Sequence, residues 1–352
     1  MNEDTTAVRP GEELNTDNLR AYLQAELDLQ NAAIEILQFP SGNSNLTYSV
    51  RIGADEYVLR RPPFGNQVKS AHDMAREFNV LSKLDAAYAP APKPLLYCAD
   101  EAVIGAEFYL MERRHGLVIR GRAPAALETS PALRRAVCES FIGNLALLHA
   151  LDYERIGLGE LGRPEGYARR QTEGWTKRYF NAQTDDHPAL AEVIEWLAEN
   201  VPAAGGAALI HNDYKFDNVM LDPADLTRIV AVLDWEMTTI GEPLMDLGSS
   251  LAYWMAPDAG PEMLAMPFNP RVLMENVTRA ELVRMYEEKS GRAVTDLLFY
   301  YVFGTFKLAV IAQQIYFRYV RGFTQDRRFA SFNVFIGNLG RIAAAALDSG
   351  TV

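Results

Sequence analysis

The chain has 352 residues, with hydrophobic residues at 49% and charged residues at 23%, an ordinary composition for a folded protein of two lobes or domains. Its 34 Lys and Arg against 46 Asp and Glu give a formal net charge of −12. That balance argues against a nucleic-acid-binding surface, though not against a local basic pocket.

The two cysteines, Cys98 and Cys138, have no paired spacing, so neither a disulfide framework nor a cysteine zinc site is expected. The opening MNEDTTAVRPGEELNTDN is acidic and polar, without the apolar core of a signal peptide. A cytoplasmic protein with no membrane partner is the expectation. Residues 1–30 read as an N-terminal extension ending in a helix over 16–27. In residues 31–115 the period changes to that of strands: AAIEILQFP, LTYSVRIG and EYVLRRP are short, rich in β-branched and aromatic residues, and bounded by Gly, Asn, Asp or Pro. A helix over 70–87 follows, with Met74, Phe78, Leu81 and Leu84 at helical spacing. KPLLYCAD and AEFYLMERR add two strands, which makes a small five-stranded antiparallel sheet carrying one helix.

Residues 116–352 read as mainly helical. Ser130 and Pro131 mark the cap and first position of a long helix, and Thr278 with Glu281 marks a capping box. The most apolar stretch, residues 297–317, is interrupted by Lys307, Gln313 and Gln314, so a buried core helix is expected rather than a membrane span. Two short strands are expected near 219–221 and 229–233.

Chemistry concentrates in LIHNDYKFDNVMLDP, residues 209–223, where a His, three Asp and two Asn are flanked by apolar residues. Singly, Asp or Asn at a strand end is most often a turn former or cap. A hairpin joining the two short strands would bring Asn218, before the first, beside Asp234, after the second. Two oxygen donors of this kind suit Mg²⁺, which takes few protein ligands and fills its shell with water and phosphate oxygens. Asp213, on the loop before, could take a proton from a hydroxyl. His211 reads as a hydrogen-bonded brace for that loop.

The run from His211 through Asp213 to Asn218 resembles the H-x-D-x-x-x-x-N loop of protein-kinase-like phosphotransferases, and Asp234-Trp235-Glu236 stands where protein kinases have Asp-Phe-Gly. The His-x-Asp opening and the Asp-Trp-Glu variant are similar to the aminoglycoside phosphotransferase and choline kinase branch. The resemblance covers roughly residues 30 to 340. It implies an α+β protein-kinase-like bilobal fold that binds ATP and Mg²⁺ in a cleft, with Asp213 as base and Asn218 and Asp234 as metal ligands. It also implies a phosphate-covering loop at Ser41, Gly42, Asn43 and Ser44, which has one glycine where protein kinases have three. Arg60 replaces the strand-three lysine, with Glu77 as its ion-pair partner. Backbone groups near Met111 to Arg113 would meet the adenine, and Asp246 would brace the loop.

Gly241 follows Asp234 within seven residues, too few for an activation loop of protein-kinase length, so a small-molecule acceptor is expected. Arg169, Arg170, Trp175 and Arg178, in YARRQTEGWTKRYF, are the candidate acceptor residues. The plainer reading of such a charge run, and of Arg318, Arg321, Arg327 and Arg328, is a solvated face. The LRRPP run after strand three and the ARR…W helix are similar to the kinase-like domain associated with acyl-CoA dehydrogenases, which implies a hydroxyacyl-CoA acceptor. An aminoglycoside, macrolide or choline-like alcohol is the alternative acceptor. A nucleotide-binding pseudokinase acting as an interaction module is the alternative of another class.

Overall fold

The computed structural model describes residues 4–27, 33–40, 45–63, 73–120, 123–203, 205–257, 259–264 and 268–352. The chain divides into two compact units, residues 1–115 with 230–236 and residues 116–229 with 237–352.

The first unit contains helix α1 (Thr16–Glu26), strands β1 (Ile34–Gln38), β2 (Leu46–Ile52) and β3 (Asp55–Arg61), helix α2 (Met74–Leu84), and strands β4 (Pro94–Cys98) and β5 (Phe108–Glu112). The strands form one antiparallel sheet in the order β1-β2-β3-β5-β4. This is the sheet that alternation and turn residues predict. Helix α1 starts from Asn15, whose side chain accepts from the Asn18 amide at 3.1 Å, and it buries Leu19 and Leu23. Asp73 caps α2 through the Arg76 amide. The buried face of α2 is Met74, Val80, Leu81 and Leu84 with one charged residue among them, Glu77.

Residues 230–236 fall within 116–352, the range expected to form the second, mainly helical lobe, yet they pack with the first unit. The Val232 amide donates to the Pro90 carbonyl at 2.8 Å. The Trp235 ring meets Tyr88 edge-on at 5.7 Å. Apolar burial therefore assigns this segment against the reading from chain order.

The second unit contains β6 (Leu117–Val118), α3 (Ala125–Thr129), α4 (Pro131–His149), α5 (Tyr167–Ala182), α6 (Pro188–Glu199), β7 (Ala208–Ile210) and β8 (Val219–Leu221). Strand β9 (Ile229–Val232) leads the chain into the first unit. The second unit resumes with β10 (Thr239–Gly241), α7 (Pro243–Ala252), α8 (Pro261–Leu264), α9 (Arg271–Met274), α10 (Arg279–Ser290), α11 (Leu297–Val320) and α12 (Phe332–Ser349). Strand β6 pairs with β8, and β7 with β10, both antiparallel. Ser130 caps α4 as predicted, and both bonds of the Thr278–Glu281 capping box form.

Every residue of α7 is buried, and α11 is buried for most of its length, as expected of a core helix. The two helices touch backbone to backbone. A Cβ on Gly248 would lie 2.2 Å from the Tyr300 carbonyl oxygen, and one on Gly304 would lie 2.4 Å from that of Gly248. Only glycine at both positions permits that approach. It sets Asp246, two residues before Gly248, and Lys307, three residues after Gly304, on the same side of the core as the 211–218 loop.

Candidate functional site

In the first unit, charge gathers around Arg60. Its side chain is almost wholly buried, yet it has three carboxylate partners: Asp234 at 2.9 Å, Glu77 at 3.4 Å and Glu236 at 3.7 Å. The expected Arg60–Glu77 pair is therefore present. Burial alone would drive the guanidinium toward its neutral form, but Glu77, Asp234 and Glu236 hold it charged. Burial pushes the Glu77 carboxyl up, against the pull of Arg60. Asn45 donates to Glu236 at 2.8 Å, and Arg76 to the Glu236 carbonyl at 3.2 Å. Asp234 adopts a left-handed φ of 68°, unusual for a non-glycine residue and a local strain of the kind concentrated at functional sites.

Other first-unit expectations fare differently. Ser41, Gly42, Asn43 and Ser44 lie outside the described residues. Met111 is buried in the sheet, with register partners Val58 and Pro94. The Arg113 side chain is a structural anchor, donating to Ser49 at 2.6 Å and to Asp4 at 2.9 Å and lying over the Phe39 ring.

In the second unit, the 211–218 loop is held at nearly every residue. Asp246 accepts from the backbone amides of His211 at 2.6 Å and Asn212 at 2.8 Å. It is itself within 3.2 Å of His149 Nε2, and His149 Nδ1 is 2.8 Å from the Tyr286 hydroxyl. Burial would raise the Asp246 carboxyl, but the hydrogen bond and charge of His149, with the donors from His211, hold it below the usual carboxylate range. The expected brace is thus formed, with His149 behind it. His211 braces from within, its Nδ1 accepting from the Asp213 amide at 3.2 Å. Further on, Ser250 donates to the Tyr214 carbonyl at 2.8 Å, and Asn269 accepts from the Phe216 amide at 3.0 Å. Phe216 stacks on Phe141 at 4.2 Å.

This scaffold presents the Asp213 carboxylate. Tyr253 donates to Oδ1 at 2.7 Å, Asn218 Nδ2 donates to Oδ2 at 2.9 Å, and Lys215 pairs with Oδ2. Burial would raise the carboxyl, but the Lys215 charge and hydrogen bond, with that of Tyr253, more than offset it, so Asp213 is held ionised. The amide nitrogen of Asn218 is committed to Asp213, which leaves the amide oxygen as the atom it would offer a cation. In the first unit, Asp234 offers carboxylate oxygens. Hard oxygen donors in small number fit Mg²⁺. Among the described residues there is no group of three or more His, Cys, Asp or Glu side chains that could hold a metal by itself.

Asn212 separates the brace from Asp213. It has a left-handed φ of 67°. Its side-chain amide donates to the Tyr167 hydroxyl at 3.1 Å and the Met237 carbonyl at 3.0 Å, and its carbonyl accepts from Lys307 at 2.6 Å. Next to it opens a cavity of about 370 Å³, an ordinary size for a ligand site. Its lining includes Arg163, Arg170, Arg178 and Lys307, with Tyr167, Gln171 and Trp175, and among the described residues holds no carboxylate. Arg178 lies over the Trp175 ring at 4.5 Å.

Three of the four candidate acceptor residues, Arg170, Trp175 and Arg178, therefore line one cavity. Arg169 does not: it lies on the exposed face of α5, because at 100° per residue it points away from the face shared by 170, 171, 175 and 178. Arg328 pairs with Asp326 and Arg321 lies over Phe317, so these arginines belong to a solvated surface. Sequence reasoning missed Lys307, Tyr253, Lys215 and Arg163 as site residues. Lys215 stands inside the motif and was the most accessible of these signals.

A sequence profile of the phosphotransferase enzyme family matches residues 35–269. Acyl-CoA dehydrogenase family member 11 of Rattus norvegicus is 36% identical over 92% of this chain and 42% of its own length. The human protein of the same name is 35% identical over 91% of this chain and 41% of its own length. The chain thus spans about two fifths of these relatives. A Ralstonia eutropha protein provisionally described as an aminoglycoside phosphotransferase superposes with a TM-score of 0.77 at 31% identity, covering 95% of this chain and 99% of its own. Choline kinase from Cryptosporidium parvum gives 0.64 at 13% identity, covering 96% and 97%, a likeness of fold alone.

Proposed function

We infer, because the chain belongs to the phosphotransferase enzyme family, that it moves the γ-phosphoryl group of ATP onto a hydroxyl of a small anionic acceptor, a hydroxyacyl-CoA. The observation that carries the acceptor class is the cavity beside Asn212, the residue before Asp213, with four cationic side chains and no carboxylate among the described residues of its lining. In a chain of net charge −12, such a concentration of positive charge favours phosphate or carboxylate and disfavours a cationic aminoglycoside or choline. Relatives whose names place them among acyl-CoA dehydrogenases agree with an acyl-CoA acceptor.

Asp213 would orient the acceptor hydroxyl. Each carboxylate oxygen can take two donors, so Oδ1 can hold the substrate hydroxyl beside that of Tyr253. The transition state of phosphoryl transfer is loose, so the proton leaves late and a weak, firmly ionised base suffices. The acceptor oxygen bonds to the γ-phosphorus, the bond to the bridging oxygen breaks to release ADP, and the proton passes to Asp213. Lys215 keeps the carboxylate in place and adds positive charge beside it. Asp234 in the first unit and Asn218 in the second each offer an oxygen of the kind Mg²⁺ takes as ligand, and Mg²⁺ when bound would neutralise charge on the phosphates. Arg60, permanently charged and fixed by Glu77, is the phosphate-binding group of the first unit.

The test is ADP release by the purified chain with Mg·ATP and a panel of hydroxyacyl-CoAs, an aminoglycoside and choline. Turnover with a hydroxyacyl-CoA is expected. Comparable kcat/KM for the aminoglycoside or choline, with the CoA esters inert, overturns the acceptor class. ATP binding that needs no Mg²⁺, with no acceptor turned over, points instead to a nucleotide-binding interaction module.

A further inference from the structure

Lys307 is 5% exposed, a degree of burial that lysine almost never reaches without a partner. It projects from α11 into the lining of the cavity, its Nζ 2.6 Å from the Asn212 carbonyl oxygen and 5.7 Å from the centre of the Trp175 ring. The grips on Asn212 divide in kind. Asp246 holds its amide, while the Met237 carbonyl and Tyr167 hold its side chain. Lys307 alone among them brings a positive charge, and it faces the ligand space. An ammonium has three N–H donors, so one can stay on the Asn212 carbonyl while another meets an anion in the cavity. The gripped carbonyl belongs to the peptide that joins Asn212, held in a left-handed conformation, to Asp213. A shift of that carbonyl therefore rotates the Asp213 carboxylate.

We propose that Lys307 is a positioning residue that binds the acceptor's anionic group in this cavity and, through the Asn212 carbonyl, sets the placement of Asp213; this rests on the reading of Asp213 as the group that orients the acceptor hydroxyl. Acceptor recognition and alignment of the base are then one contact. An acceptor without the anion leaves Lys307 facing Arg178, Arg170 and Arg163 across the cavity, and Asp213 less well set.

The electrostatics make this contact readable by pH. Burial brings the Lys307 ammonium down to about 8, with Lys215 and Arg178 pushing the same way and Asp213 and Asp246 opposing them. Its charge is therefore lost just above neutrality in the empty cavity, whereas the cavity's arginines stay charged.

Initial rates on the full chain with Mg·ATP and a hydroxyacyl-CoA, from pH 7 to 9.5, test this, with CoA binding followed by calorimetry as a measure that needs no turnover. For the wild-type chain, KM should rise about tenfold as the pH passes 8. Lys307→Met should raise KM and lower kcat at pH 7, each by roughly tenfold or more, the worth of one charge-assisted hydrogen bond, and should abolish the pH dependence. Lys307→Arg should keep a low KM that no longer rises with pH. Melting temperature separates loss of fold from loss of function. A Lys307→Met chain with wild-type KM, kcat and pH profile overturns the proposal, as does one whose losses match its drop in melting temperature while CoA affinity is kept. If the wild type binds CoA but phosphorylates nothing, the proposed reaction fails, and a tenfold loss of CoA affinity in Lys307→Met still supports the anion contact. If it neither binds CoA nor transfers phosphate, both fail.

Discussion

Replacing Asp246 by Asn keeps the volume of the side chain and turns one oxygen into an amide nitrogen. Oδ1 serves the Asn212 amide at 2.8 Å, while Oδ2 serves the His211 amide at 2.6 Å and lies 3.2 Å from His149 Nε2. The single oxygen of Asn can replace one of these two and not both. On the other side an N–H₂ group would face a buried backbone N–H, donor against donor. The loss is at least one hydrogen bond to a charged acceptor, plus an unsatisfied donor, about 2–4 kcal/mol in all. That is a large share of the 5–15 kcal/mol that holds a typical domain together. Urea unfolding of wild type and Asp246→Asn should show the difference as a lower midpoint with an unchanged slope. ADP release should fall at least tenfold, because both amides belong to the residues leading into Asp213. Asp246 is depressed in the folded state, so its contribution is present above the ordinary carboxylate pKa of about 3.9 and is lost as the pH falls through the lower folded value. The gap between the two chains should therefore close in strong acid. A variant within 0.5 kcal/mol of wild type at pH 7, with unchanged kcat, would refute the account of the brace.

Gly304→Ala would place a methyl group 2.4 Å from the Gly248 carbonyl oxygen and force α7 and α11 apart. A loss of about 1–3 kcal/mol or more is expected, seen as a lower melting temperature, and a melting point within a degree of wild type would contradict the close helix crossing. Glu77→Gln removes the charge 3.4 Å from Arg60, which keeps Asp234 at 2.9 Å. The expected cost is near the low end of the 3–5 kcal/mol for breaking a buried pair, together with weaker ATP binding by equilibrium titration. Wild-type stability and ATP affinity in this variant would remove Glu77 from its role in aiming Arg60.

Much of this was legible in the chain, and the rest was lost for definite reasons. Strands β1 to β5 announce themselves by alternation and by their turn residues, and α4 and α10 by Ser130–Pro131 and Thr278–Glu281. Strands β6, β7 and β10 are two or three residues long, too short for any period to appear. The 211–218 motif pointed to Asp213, Asn218, His211 and Asp246, and all but Asp246 lie in one sequence window. Lys307 was visible only as an interruption in an apolar stretch. Its role depends on α11 crossing α7 at two facing glycines, a contact between residues 56 positions apart in the chain. Arg169 and Arg170 are equivalent as sequence and differ only in rotational phase on α5, which the helix start at Tyr167 decides. Tyr253 follows the last turn of α7, and nothing in its neighbours foretells a hydrogen bond to Asp213, 40 residues earlier.

The central claim is that Asp213 directs phosphate from ATP onto an anionic small-molecule hydroxyl. The most direct measurement is phosphorus NMR of the products formed from Mg·ATP and a hydroxyacyl-CoA by the wild-type chain and by Asp213→Asn. The account predicts a new phosphate ester and stoichiometric ADP with the wild type. For the variant it predicts at least a hundredfold less of both, with ATP binding kept. An Asp213→Asn chain that forms the ester at the wild-type rate would contradict it.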